Sequence, residues 1–240
     1  MTYVPPGPYA GLVWLVTGRV MLVSCGGRAV ERELPGVFVA GAHRHPYRSL
    51  AMSAYRSFGI AFHPGALPAL AGLVGAPPVD DVVDARAFLP HDWHGWLERV
   101  AGAKDHEQRV ALTEAFLTPL GADLERSDRN TWPHKALTWA RPARQALLSA
   151  MNWTQRHFQR RTRALVGLTP GEVDRLLRLE GALLDVRDGR AGRADAAAAW
   201  GFADQSHFTR ETRHWFGQSP SELDRQIKGP DADGDWLMRL

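Results

Sequence analysis

The sequence contains the stretch Gln155-Arg-His-Phe-Gln-Arg-Arg-Thr-Arg-Ala-Leu-Val-Gly-Leu-Thr-Pro170. It recurs fifty residues later as Gln205-Ser-His-Phe-Thr-Arg-Glu-Thr-Arg-His-Trp-Phe-Gly-Gln-Ser-Pro220, with eight of sixteen positions identical. Each copy predicts one helix, because Thr154 or Asp204 can cap its start and a glycine followed three residues later by proline can end it. Two copies are too few for a solenoid, so the repeat indicates a duplicated helical unit.

Helical periodicity divides each copy into an inward and an outward face. The inward residues are Phe158, Thr162 and Leu165 in the first copy, and Phe208, Thr212 and Trp215 in the second. The outward residues are Arg156, Gln159, Arg160 and Arg163, and then Ser206, Thr209, Arg210 and Arg213. Such side chains can read base edges in the major groove of DNA. A single helix of this kind is more often a solvated amphipathic helix, but its repetition favours DNA binding.

The segments around the repeat strengthen this interpretation. A short helix is predicted over residues 142–150 with a turn at 151–153, and another over 195–200 with a turn at 201–203. A helix, a tight turn and an exposed polar helix make up a helix-turn-helix unit. Residues 172–186 are rich in leucine and predict a linker helix that orients the two units.

The second copy and its flanks, Gly201-Phe-Ala-Asp-Gln-Ser-His-Phe-Thr-Arg210 and Phe216-Gly-Gln-Ser-Pro220, resemble the signature of the AraC/XylS family of bacterial transcription regulators. The resemblance extends over residues 131–227 and includes the first copy and the linker stretch Arg175-Leu-Leu-Arg-Leu-Glu-Gly-Ala-Leu-Leu184. It implies an all-α domain of seven helices with two helix-turn-helix units. Their recognition helices would enter successive major grooves. Carried over by position, the DNA-contacting residues are Arg156, Gln159 and Arg160, then Gln205, Ser206, Thr209 and Arg210.

The sequence departs from the family pattern at four core positions. Thr162 and Thr212 stand where phenylalanine is usual, Leu148 stands where alanine is usual, and Ala196 replaces a branched aliphatic residue. Loss of a core aromatic can cost about 3–5 kcal/mol unless neighbours fill the space. The departures therefore predict a less stable domain, and they motivate an alternative function with weakened DNA binding.

Composition agrees with a DNA-binding module in the second half of the chain. Residues 129–228 hold 17 Lys/Arg against 10 Asp/Glu, whereas residues 1–128 hold 11 against 13. Concentrated positive charge is expected of a surface that faces phosphates. Cys25 is the only cysteine, and no apolar span of membrane length or secretory signal occurs, so a soluble, cytoplasmic protein is predicted.

The first half of the chain predicts an α+β domain. Apolar runs bounded by glycine or proline predict strands over residues 12–17, 20–24, 36–42, 48–54 and 56–62. Helices are expected over 65–75, 92–101 and 106–124. Strands followed by helices favour α+β over a doubly wound sheet. Gly36-Val-Phe-Val-Ala-Gly41, Phe58-Gly-Ile-Ala-Phe-His-Pro-Gly65 and Pro68-Ala-Leu-Ala-Gly72 resemble the sensor-type domain of some AraC/XylS regulators, which implies no particular effector site.

Other candidate sites are weak. His43, His45 and His63 lack a carboxylate at metal-ligand spacing, and the Asp231, Asp233 and Asp235 run has Trp236 where a calcium loop needs glycine. Cys25 has no partner motif for nucleophilic chemistry, so it is predicted to be a small buried residue. No phosphate-binding loop or hydrolase motif is present, so neither an enzyme nor a cofactor or metal is expected.

The predicted organisation has three parts. Residues 1–128 form a sensor or dimerisation domain, residues 129–228 form the DNA-binding domain, and residues 229–240 form a mobile acidic tail. The predicted function is a sequence-specific transcription regulator. The alternative is a ligand-binding or protein-interaction module with weakened DNA binding, and a methyl-accepting repair protein is disfavoured by the single cysteine. Expected partners are duplex DNA and RNA polymerase, with a small-molecule effector or a second copy of the chain at the N-terminal domain.

Overall fold

The computed structural model describes residues 1–127 and 153–228, which form a β-rich N-terminal region and a helical C-terminal region. The strands are β1 (Thr2–Val4), β2 (Ala10–Thr17), β3 (Val20–Cys25), β4 (Arg28–Glu33), β5 (Val37–Ala40), β6 (Tyr47–Ala51), β7 (Arg56–Phe62) and β8 (Val82–Asp84). The helices before the gap are α1 (Ala66–Leu70), α2 (Ala85–Phe88), α3 (His91–Ala101) and α4 (His106–Ser127). Those after it are α5 (Gln155–Val166), α6 (Pro170–Arg187), α7 (Arg193–Ala199), α8 (Gln205–Phe216) and α9 (Pro220–Lys228).

The strands form two antiparallel sheets of four strands each. One sheet has the order β1-β6-β3-β4 and the other has the order β7-β2-β5-β8. In the second sheet Leu12 of β2 lies opposite Val39 of β5 and Ile60 of β7. The prediction that the N-terminal region combines sheets with helices is confirmed.

Strand β2 is buried on both faces because its apolar run has no polar alternation. Leu12 and Trp14 face a core shared with α3 and α4, where Trp14 packs edge-on against Trp96 at 5.4 Å between ring centroids. Val13 faces a second core between the two sheets, together with Leu22 of β3. Side chains of one strand alternate between its two faces, so this strand joins both cores.

The duplicated segment forms two helices that begin and end as predicted. The Thr154 and Asp204 side chains accept hydrogen bonds from the backbone N–H groups of His157 and His207. Gly167 and Gly217 end α5 and α8 with φ angles of 80° and 70°. Both glycines therefore adopt the left-handed backbone conformation, which is unfavourable for residues that carry a side chain.

The two inward threonines are accommodated without an unsatisfied hydroxyl. Thr162 and Thr212 are both fully buried. Each donates its hydroxyl to the carbonyl oxygen four residues earlier, Phe158 O at 2.9 Å and Phe208 O at 2.8 Å. This i to i−4 bond removes the penalty of burying a polar group. The core around them is filled by other apolar side chains, among them Leu165, Val173, Leu176, Phe202, Trp215 and Phe216.

Several predicted boundaries were wrong. Strand β4 was missed because its sequence, Arg-Ala-Val-Glu-Arg-Glu, is almost entirely exposed at a sheet edge and carries no apolar alternation. Strands β1 and β8 are too short, at three residues each, to show a period. The helix predicted over 65–75 is confined to α1, and β6 ends before the predicted residue 54. The helix predicted over 142–150 and the acidic tail lie outside the described residues.

The helical region and the N-terminal region share one core. Tyr3 of β1 and Ala42 are buried in the same cluster as the apolar residues of α5, α6 and α8, and Val79 packs against it. The Tyr3 hydroxyl donates to the carbonyl oxygen of Phe216, at the end of α8, at 2.7 Å. The two regions are therefore packed together, and the bond from Tyr3 to Phe216 joins positions that are 213 apart in the sequence.

Gly181 of α6 is a site where added volume should destabilise the fold. A Cβ at Gly181 would overlap the six-membered ring of Trp200, whose ring N–H donates to Asp185 at 2.7 Å. We expect Gly181→Ala to lower the free energy of unfolding by about 1–3 kcal/mol because the ring must shift. Denaturant unfolding followed by circular dichroism measures the change.

Gly171→Ala is the matched control, since a Cβ at Gly171 meets nothing within 4 Å on the same helix. Alanine is favoured over glycine in a helix by up to about 1 kcal/mol, so this variant should be as stable as the parent or more so. Equal stability of the two variants would contradict the assigned contact with Trp200.

Candidate DNA-binding surface and inner cavity

The outward residues of the first copy lie together along one open groove. Gln155, Arg156, Gln159, Arg160 and Arg163 of α5 line it, and its other wall is the start of α6 at Thr169 and Gly171. All five α5 side chains are exposed. The end of α5 and the beginning of α6 thus form a continuous polar surface with three arginines.

The outward residues of the second copy lie along α8 and are not part of that groove. Gln205, Ser206, Arg210 and Arg213 are exposed. Thr209 is half-buried, and its hydroxyl donates to the backbone carbonyl of Gln205 at 2.8 Å. Four of the five predicted contact residues of this helix are therefore freely presented to solvent.

The outward arginines differ from other arginines of the helical region in their pairing. Within the described residues, no carboxylate pairs with the five outward arginines, which are Arg156, Arg160, Arg163, Arg210 and Arg213. By contrast, Arg190 contacts Asp185 and Asp188 at 2.7 and 2.6 Å, and Arg175 contacts Glu211 at 3.5 Å. Unpaired guanidinium groups on a protruding helix are available to phosphates and to guanine edges.

The start of α6 is tied to the N-terminal region by an ion-pair network. Glu172 caps α6 by accepting hydrogen bonds from the Thr169 backbone N–H and hydroxyl, both at 2.7 Å. The Arg44 guanidinium donates to Glu172 at 2.9 Å and to Asp80 at 3.2 Å. Although burial alone raises the pKa of Glu172, hydrogen bonds from Thr169 and Arg44 hold it below its usual value. The ionised carboxylate therefore joins the helix start to the loop that carries Asp80.

A cavity, which we call the inner cavity, lies between the two sheets and extends to the helical region. Its volume is about 90 Å³. Most of its wall is apolar, with contributions from both sheets and the loops that join them, and Glu180 of α6 and Phe216 of α8 complete the wall. Glu180 accepts a hydrogen bond from the Tyr9 hydroxyl at 2.5 Å. Burial raises the pKa of Glu180, although this hydrogen bond acts in the opposite direction.

His43 borders the inner cavity, and both of its ring nitrogens face backbone carbonyl oxygens. It is buried, and its two ring nitrogens lie 3.2 Å from Gly41 O and 2.6 Å from Pro5 O. Burial lowers the pKa of His43, so the neutral imidazole is favoured. His45 lies instead beside Asp80. No group of three metal-ligating side chains occurs among residues 1–127 and 153–228.

Cys25 is buried, as predicted from the sequence. Its Sγ lies 3.0 Å from the carbonyl oxygen of Asp80. Burial, with a smaller effect of the Asp81 charge, raises the pKa of the Cys25 thiol to about 11. The thiol is consequently protonated at neutral pH, which is unfavourable for a nucleophile.

Sequence reasoning missed the residues that join the N-terminal region to the helical region, namely the pairs Tyr9–Glu180 and Arg44–Glu172. One signal for Glu180 was present. It lies four residues after Leu176 and three before Leu183, so helical periodicity puts this acid on the buried face of α6. A charged residue on an apolar helix face is unusual enough to mark a candidate site.

Comparison with known proteins agrees with this arrangement. Residues 147–226 match the family model described as a helix-turn-helix domain. A solved structure of ToxT from Vibrio cholerae is 14% identical, covers 95% of both chains and has a TM-score of 0.52. Another structure, of unsaturated fatty acid-bound ToxT from Vibrio cholerae, is 14% identical, covers 95% of this chain and 90% of that chain, and has a TM-score of 0.47. At the sequence level the chain matches no curated protein.

The family match shows that residues 147–226 hold a helix-turn-helix domain, a class of domain that binds DNA, and α5 and α8 with their exposed arginines lie within it. Within that class the domain at residues 147–226 is of the AraC type. The β-rich region followed by helices is the fold shared with ToxT. In the part of the chain that the structure describes, none of the helices combines the length and apolarity that a membrane crossing requires.

Proposed function

We propose that this protein binds specific DNA sequences by inserting α5 and α8 into adjacent major grooves, as the recognition helices of two helix-turn-helix units. The observation that carries the proposal is the pair of equivalent helices whose outward arginines pair with no carboxylate of residues 1–127 and 153–228. The proposed contact residues are Arg156, Gln159, Arg160, Arg163, Gln205, Ser206, Thr209, Arg210 and Arg213. α6 lies between the two helices in sequence, and its packing in the shared core supports a fixed spacing.

The satisfied threonines support this function over a module with weakened DNA binding. Thr162 and Thr212 each keep a hydrogen bond in a closed core, so the substitutions leave neither an unpaired hydroxyl nor an exposed helix face. The outward side chains on the same helices remain available. The physical basis for the weaker-binding alternative is thereby reduced.

The proposed organisation follows the sequence boundaries. Residues 1–128 act as the sensing domain, residues 129–228 bind DNA, and residues 229–240 form an acidic tail. The inner cavity would hold a small-molecule effector, and its contact with Glu180 and Phe216 would couple occupancy to α6 and α8. Such a regulator acts in the cytoplasm, with RNA polymerase and a second copy of the chain as its other proposed partners.

Two arginines at equivalent positions should carry much of the sequence specificity. We expect Arg160→Ala and Arg210→Ala each to weaken binding to the selected site by about 1–3 kcal/mol, and to weaken binding to random duplex much less, if each pairs with a base. The measurement compares dissociation constants for a site selected from random DNA and for a scrambled duplex at one salt concentration.

Arg190→Ala is the charge-matched control, because this arginine is engaged by Asp185 and Asp188. It should leave both affinities nearly unchanged. If a recognition-helix variant loses specific and non-specific affinity equally, that arginine contacts a phosphate only. If neither variant changes specificity, the proposed recognition surface is wrong.

A further inference from the structure

Among the described residues that line the inner cavity, one side chain is acidic and most of the wall is apolar. Glu180 projects from α6 among lining residues such as Val13, Leu22, Phe38 and Ala40. None of the described residues that line the cavity is a lysine or an arginine. Any charge in the described wall of this cavity is therefore expected to be the negative charge of Glu180.

The neighbours of Glu180 compensate its charge only in part. The Tyr9 hydroxyl donates one hydrogen bond to Glu180 Oε2. His43 also borders the cavity, but burial disfavours its cationic form and both of its ring nitrogens face backbone carbonyls. No ion pair involves Glu180 within residues 1–127 and 153–228. An ionised carboxylate in such surroundings is costly unless a cation reaches it.

We infer that the inner cavity binds a small, mainly apolar molecule carrying an ammonium group, which pairs with the Glu180 carboxylate. This inference rests on the proposed effector role of the cavity and specifies the chemistry of the effector. The apolar part of the ligand contacts the walls that β2 and β5 contribute. The ammonium donates to Glu180, a charge-assisted hydrogen bond of the stronger kind.

Two further features limit the class of ligand. A ligand carboxylate would lie beside the Glu180 carboxyl group, and no described lysine or arginine lines the cavity to bind it, so organic acids are disfavoured. The volume of about 90 Å³ is smaller than the ~150 Å³ cavity that admits benzene. The cavity in this conformation therefore suits an amine with only a few heavy atoms.

Three probes of equal chain length separate these chemistries: n-butylamine, butan-1-ol and butanoate. Each is titrated into the full chain at neutral pH, with ligand-observed NMR and the shift of the melting temperature as independent readouts. We expect n-butylamine to bind at least about tenfold more tightly than butan-1-ol, and butanoate to show no binding. Equal affinity for amine and alcohol, tighter binding of butanoate, or no binding of any probe would overturn the inference.

Variants assign the selectivity to one side chain. Glu180→Gln keeps the size and hydrogen-bonding capacity but removes the charge, so the amine preference should disappear while butan-1-ol binding remains. Tyr9→Phe keeps the carboxylate and removes the hydrogen bond that competes with a ligand ammonium, so the amine preference should increase, which provides a second variant if Glu180→Gln folds poorly. Glu33→Gln is the control, because Glu33 pairs with Arg19 at an exposed position outside the cavity. A preference that survives Glu180→Gln would also overturn the inference.

DNA binding by the same preparations is measured separately, so the two proposals can fail independently. Loss of specific DNA binding with intact amine selectivity would contradict the regulatory function alone. Intact DNA binding without amine selectivity would contradict the ligand chemistry alone.

Discussion

Raising the salt concentration from 50 to 200 mM should weaken binding to duplex DNA by roughly 40- to 500-fold if three to five phosphates are neutralised. Five outward arginines pair with no described carboxylate. Three of them would contact phosphates if Arg160 and Arg210 contact bases, and five would do so if none contacts a base. Each contact releases condensed counterions and adds about 0.9 to the slope of log affinity against log salt, so a slope of roughly −2.7 to −4.5 is expected. Titration by fluorescence anisotropy with a random duplex measures this slope directly.

Variants test whether these arginines cause the salt dependence. Arg163→Ala should lower the magnitude of the slope by about 0.9 if it contacts a phosphate, whereas Arg190→Ala should leave the slope unchanged. A flat salt dependence, or no binding at low salt, would exclude the DNA-binding surface proposed on α5 and α8. It would favour the alternative of an interaction module with weakened DNA binding.

Inserting about five base pairs between the two motifs of a selected site should reduce affinity to the non-specific level. That level typically lies about 10³-fold or more below specific binding. Half a helical turn moves one motif to the opposite face of the duplex, since a turn contains about 10–10.5 base pairs. A gel-shift titration comparing the parent and inserted sites measures the loss, and a spacer of changed sequence but unchanged length is the control.

A full-turn insertion should not restore tight binding. It returns both motifs to one face but separates them by about a further 34–36 Å. The linker helix α6 has 18 residues and is about 27 Å long, and it is packed into the shared core, so it cannot extend to the new spacing. Unchanged affinity after the half-turn insertion would show that only one unit reads DNA. Restored affinity after a full turn would show that the two units move independently.

The duplicated helices could be predicted because their signals are local. The caps at Thr154 and Asp204, the left-handed glycines and the helical period all lie within one stretch of chain. The outward faces were also predicted, with Thr209 less exposed than its position suggested. Strand β4 could not be found in this way, because an exposed edge strand has no apolar face to produce a period.

The inner cavity could not be predicted because it depends on contacts between distant segments. Tyr9 and Glu180 are 171 positions apart, and nothing in either local pattern indicates that they meet. The same holds for Arg44 and Glu172, which are separated by 128 positions. Such pairs follow from how the sheets and helices pack. The position of Glu180 on an apolar helix face was the one feature of the sequence that indicated a site.

The shared core has a consequence for building chimeric proteins from this chain. Attaching the helical region to a different N-terminal domain would remove Tyr3, Ala42 and Val79 from the cluster that they complete. Gly167 would also lose the close approach of Val79. A recombination breakpoint chosen only from the domain boundary would therefore expose apolar side chains of α5 and α8 to solvent. Successful chimeras must transfer these contact residues together with the helices.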